Sequence, residues 1–146
     1  MDELHRLCES ESKDGLEVIP DRGSPLHRGV RTTRRFRAGH YVCSFEGELI
    51  RPAEHQRWKR IYDYDADPKT YCSFVVDCTE KLPFFVDATE DNPQHFGRLI
   101  NHDHRPNVWL KHLLCGPAPH HFPRFYYEAL RDIAPKFYIC SRTIHI

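Results

Sequence analysis

The sequence predicts a mainly β chain with short helices, an α+β domain built from several small sheets, and three observations carry that expectation. Strand-like runs rich in Val, Phe, Tyr and Leu outnumber the one run with helical spacing. Every strand-like run is short, which argues for several small sheets rather than one wide doubly wound sheet. The 146 residues, 40% hydrophobic and 29% charged, have the composition of a globular chain and suffice for one ordinary core.

Taken in order, residues 1–15 are charge-rich and hold no apolar stretch of the signal-peptide kind, so a flexible lead-in is expected ahead of a domain over 16–146. Between 16 and 50, turn signals at Asp21-Arg22-Gly23-Ser24-Pro25, Ala38-Gly39 and Glu46-Gly47 cut the chain into three or four short strands. Pro52 suits the first turn of a helix and Glu54 its positive end. Trp58, Ile61 and Tyr62 then share one face, which predicts a helix over 53–63 that Asp65-Ala66-Asp67-Pro68 stops. Further strands are expected at 71–76, 84–87, 108–114 and 124–130.

Charge excludes some function classes. The 21 Lys+Arg balance the 21 Asp+Glu, so no overall field draws the chain to nucleic acid or to an anionic membrane. The longest apolar stretches, such as Leu82-Pro83-Phe84-Phe85-Val86, are only about five residues, far short of a bilayer span. Neither a membrane nor sequence-specific nucleic acid is expected as a partner. The six cysteines form no CxxC pair, which predicts free, buried thiols in an intracellular chain.

The candidate chemistry narrows quickly. Arg28, Arg31, Arg34, Arg35 and Arg37 fit a phosphate-contacting stripe or a nuclear-import signal, but a solvated strand face explains most of them. His102, His104, Cys115, His120 and His121 lack the tight paired spacing of a zinc site, so no metal is expected. Gly-x-Ser-x-Gly, a phosphate-cradling loop and a dinucleotide fingerprint are all missing. What remains is Val86-Asp87-Ala88-Thr89-Glu90 followed by Phe96-Gly97-Arg98-Leu99-Ile100-Asn101-His102-Asp103. On pattern alone, Asn101 and His102 serve as caps of a short helix.

The wording of that segment resembles the SET domain of protein-lysine methyltransferases, whose hallmark Arg-(Phe/Leu)-Ile-Asn-His matches Arg98-Leu99-Ile100-Asn101-His102. Other landmarks follow in order: His27-Arg28-Gly29-Val30 resembles the family's Gly-x-Gly loop, Phe36-Arg37-Ala38-Gly39 and Phe45-Glu46-Gly47-Glu48-Leu49-Ile50 its next strands, and Ala129-Leu130-Arg131-Asp132-Ile133-Ala134-Pro135 the turn before its C-terminal motif. Within the family, the helix after Pro52 and Phe85-Val86-Asp87-Ala88-Thr89 are most similar to nuclear enzymes that monomethylate a lysine of the histone H4 tail.

The resemblance implies a β-clip of small curled sheets with a pseudoknot around Asn101, and S-adenosylmethionine as methyl donor. It implies that His27, Arg28 and Gly29 hold the cofactor through the backbone, that Tyr71 lies near it, and that Asn101 and the backbone of His102 hold its amino-acid tail and adenine. Phe45 and Tyr71 would wall an aromatic channel for the substrate lysine and act in catalysis. The implied partner is a histone tail peptide or nucleosome, met by a monomer in the nucleus. One departure stands out. Where members continue Gly-Glu-Glu-Leu-x-Tyr-x-Tyr, with the first tyrosine catalytic, this chain reads Lys136-Phe137-Tyr138-Ile139-Cys140-Ser141-Arg142-Thr143, and Tyr138 comes about three residues too early. The C-terminal motif is thus incomplete, and a catalytically impaired module that holds cofactor or peptide is the alternative.

Overall fold

The computed structural model describes residues 3–20, 28–50, 73–74, 85–87, 93–117 and 122–142. The expected helix over 53–63, and His27 and Tyr71, lie outside these residues. Strands dominate what is described, as the short alternating runs require: β1 (Leu16–Pro20), β2 (Arg28–Thr32), β3 (Tyr41–Phe45), β4 (Glu48–Ile50), β5 (Ser73–Phe74), β6 (Phe85–Asp87), β7 (Asn101–His102), β8 (Val108–Cys115), β9 (Phe122–Ala129) and β10 (Cys140–Ser141). They form three small sheets, β1-β2, β4-β6-β5 and β3-β9-β8-β10-β7.

One difference from expectation concerns the lead-in. Residues Glu3–Ser10 form helix α1, with Leu4, Leu7 and Cys8 along one face. That face packs on Tyr41 of β3 and Tyr126 of β9, and Cys8 is completely buried. Three apolar positions are too few to mark a helix in the sequence; the sheet they cover supplies most of the stabilisation. Lys13 and Asp14 then tie the following turn down, to Glu46 at 3.2 Å and Arg34 at 3.2 Å.

The main core gathers Val30, Phe36, Val42, Phe45, Ile100, Val108, Phe125, Tyr127, Ile133 and Ile139 from strands and connecting segments scattered along the chain. β9 is largely buried because β3 and β8 flank it, whereas β8 leaves Trp109 and Leu114 exposed. Cys8, Cys43, Cys115 and Cys140 are free thiols. Burial pushes the Cys43 thiol far above its ordinary range, which leaves it unreactive.

The feature that positions the site is a threaded strand. β10 lies between β7 and β8 and runs parallel to both, pairing Cys140 with Asn101 and Ser141 with His102 and Val108. Only residues 103–107 connect β7 to β8, so the C-terminal segment passes beneath a short crossing loop. Just before it enters, the same segment lies along β2: Thr32 N donates to Phe137 O at 2.9 Å, and Ile139 N to Val30 O at 2.9 Å. This is the pseudoknot that the resemblance implies.

Candidate functional site

Two side chains fasten the threaded segment. Asn107 donates from Nδ2 to Tyr138 O at 2.8 Å and accepts from Cys140 N through Oδ1 at 2.9 Å, so one buried amide satisfies two backbone groups. Thr32, fully buried, donates from Oγ1 to Ala134 O at 2.7 Å and accepts from Phe137 N at 3.0 Å. Between them Lys136 adopts a left-handed φ of 65°, which turns the chain from the bridge at Ile133 towards β10.

The Asn-His segment is built from the other side. The 3₁₀ turn Gly97–Leu99 presses on β3 so closely that a Cβ on Gly97 would meet Ser44 O at 2.5 Å and Phe45 Cα at 2.8 Å. Ile100 ends the turn in an extended conformation, and its side chain enters the core at 5% exposure. Asn101 and His102 therefore begin a strand and do not cap the helix, contrary to the pattern-based expectation; Ile100 holds the capping position.

Of the residues expected at the site, the structure brings Arg28, Gly29 and Asn101 together. Asn101 Nδ2 donates to Arg28 O at 3.3 Å, and a Cβ on Gly29 would lie 3.3 Å from that same nitrogen and 3.4 Å from the ring of Tyr138. Glycine is what allows this approach. His102 joins through its backbone on β7, paired with Ser141. Phe45 is 4% exposed, with its ring edge-on to Tyr127 at 6.2 Å and close to Gly97, so its ring is held in the core behind the Asn-His segment.

A second polar group adjoins Phe45. Glu46 is buried, meets Lys13 Nζ with Oε1 and leaves Oε2 without a hydrogen bond. It lines a pocket of about 140 Å³ with Phe45, Phe122 and Arg124. Burial pushes its carboxyl up to about 7, with Lys13 pulling the other way.

A model of the SET domain matches residues 27–140. The chain belongs to the SET-domain family. This SET domain is 30% identical over 117 residues, 80% of its length, to the Drosophila melanogaster protein named histone-lysine N-methyltransferase Set8. It is 28% identical over 119 residues to the N-lysine methyltransferase KMT5A of Xenopus tropicalis, and 32% identical over 106 residues, 72% of its length, to the histone-lysine N-methyltransferase SUV39H1 of Xenopus laevis. It spans 16%, 33% and 24% of those three proteins.

Counted on from Ala134-Pro135, the C-terminal motif's glycine falls on Lys136, with its left-handed φ of 65°, and its leucine on Ile139, 1% exposed. Its first tyrosine falls on Ser141, 3% exposed on β10. Gly97 lies in the segment that the sequence singles out, whereas Asn107 and Thr32, which fasten this SET site, carry no motif of their own. Only their juxtaposition across 102 to 105 residues of chain, in the case of Thr32, gives them a role.

Proposed function

We propose that this SET domain is a histone-lysine N-methyltransferase that moves a methyl group from S-adenosylmethionine to a lysine of a histone tail, that of H4 first among them, in the nucleus. The observation that carries this reading is the seating of Asn101, on the β7 strand paired with the threaded β10, against Arg28 and Gly29 of β2. The residues present suit the cofactor. Gly29 leaves a notch that any side chain would crowd, and Asn101 is exposed beside it, with an Oδ1 that accepts no hydrogen bond among the described residues. Arg28, Gly29 and the backbone of His102, with His27 and Tyr71, would hold the cofactor around that notch.

When bound, S-adenosylmethionine supplies an electrophilic methyl group for an in-line displacement by an amine. The protein's part is to align that amine and keep it uncharged. Phe45, fixed by Tyr127 and Gly97, and Tyr71 would form aromatic walls that desolvate the lysine ammonium and lower its pKa. No covalent intermediate with the protein is needed.

Ser141 supports a second reading. A buried serine in place of the motif's tyrosine provides no phenol to orient the amine, which is what a SET module that binds cofactor or peptide with little turnover would show. Radiolabelled methyl transfer to H4 peptide and to nucleosomes, run beside calorimetric titration with S-adenosylmethionine, separates the two. Transfer supports the enzyme, binding without transfer the module, and neither contradicts both.

A further inference from the structure

We infer that Tyr138 provides a stacking surface for the adenine ring of the cofactor. The inference rests on the cofactor reading above and names a residue that the family motif does not supply: in the register set by Lys136 and Ile139, the motif's two glutamates are replaced by Phe137 and Tyr138.

Four observations point to Tyr138. Its ring lies against the notch at Gly29, with Cδ1 and Cε1 each 3.4 Å from the place of the missing Cβ, and Asn101 Nδ2 borders the same notch at 3.3 Å. Tyr138 is 37% exposed although its neighbour Ile139 is fully buried, so it stands at the edge of the core and not in it. Its backbone is fixed, through Tyr138 O to Asn107 Nδ2 at 2.8 Å and a bridge to Arg31, so little conformational freedom remains to be lost on binding. Among the described residues its hydroxyl makes no hydrogen bond and its ring stacks on no other ring, so neither is engaged by a partner of its kind within the fold.

A planar ring beside an amide and a bare stretch of backbone suits a purine: stacking needs only a π-face, and the amide and backbone can take up hydrogen bonds at the base edge. Carboxylates at these positions would offer no such face.

The test is calorimetric titration of the wild type, Tyr138→Phe, Tyr138→Ala and Tyr138→Glu with S-adenosylmethionine and, separately, with adenosine, with thermal melts to confirm folding. Removing a stacked ring is expected to weaken both ligands by roughly five- to a hundred-fold in the Ala and Glu variants. Tyr138→Phe should stay within about two-fold of wild type, because the face and not the hydroxyl does the binding. Wild-type binding with unchanged affinity in folded Tyr138→Ala overturns this inference alone. Absence of binding by the wild type overturns the cofactor reading and this inference with it.

Discussion

Asn101 and Arg28, 73 residues apart, meet through a single hydrogen bond from the asparagine amide to the arginine carbonyl at 3.3 Å, beside a glycine whose side chain would press on that amide. That bond joins β2 to β7, the strand that pairs with the threaded β10.

Gly29→Ala follows directly. The added methyl would press at 3.3–3.4 Å on the Asn101 amide and the Tyr138 ring, both side chains that can shift by a few tenths of an ångström. Stability should fall by only about 1 kcal/mol, whereas affinity for S-adenosylmethionine should fall roughly ten-fold as the amide is displaced. Calorimetry beside thermal melts reads both; equal affinity in a folded variant would remove the notch from the account.

Asn107→Leu should destabilise the fold without touching a ligand. It leaves Tyr138 O and Cys140 N, both part-buried, without their partner, at a cost of about 1–3 kcal/mol in urea unfolding. A loss under about 1 kcal/mol would mean that β10 is held by its ladder alone.

Much of the fold was legible in the sequence and the threading was not. The turn signals between 16 and 50 separate β1 to β4, and the runs expected at 108–114 and 124–130 appear as β8 and β9 within two residues. These signals are local. Helix α1 was missed because Leu4, Leu7 and Cys8 become a helical face only once Tyr41 and Tyr126 cover them. At the site, Asn101 was visible through its motif. Asn107 and Thr32 were not, since an asparagine after a proline and a threonine in a strand acquire their task from a segment some 30 to 100 residues away.

Lys136→Gly tests the register that assigns Ser141 its place. At a φ of 65° glycine avoids the strain that any L residue carries, so the variant should be more stable by about 0.5–1 kcal/mol. Lys136→Ala should be near neutral, and Lys136→Val clearly destabilising. Chemical denaturation of the three variants checks this; a destabilised glycine variant would argue that the lysine side chain, not the turn, is needed there.

Glu46 gives the chain a pH dependence with a definite sign. Its carboxyl is raised to about 7 in the folded chain against 4.5 for an ordinary glutamate, so between these values the folded state binds the extra proton. The contribution is fully present below about 4.5 and is lost as pH rises through about 7. Wild-type stability relative to Glu46→Gln should therefore decline from pH 5 to pH 8. Parallel denaturation curves at the two pH values would place the glutamate in a wetter setting than its burial implies.

Calorimetric titration of S-adenosylmethionine into the wild type and into Asn101→Ala bears most directly on the central claim, that the threaded strand seats Asn101 to hold a methyl donor. The wild type should bind, and the folded alanine variant should bind roughly ten- to a hundred-fold more weakly, as expected when a hydrogen bond to the ligand is removed. Near-normal affinity in that variant would contradict the claim.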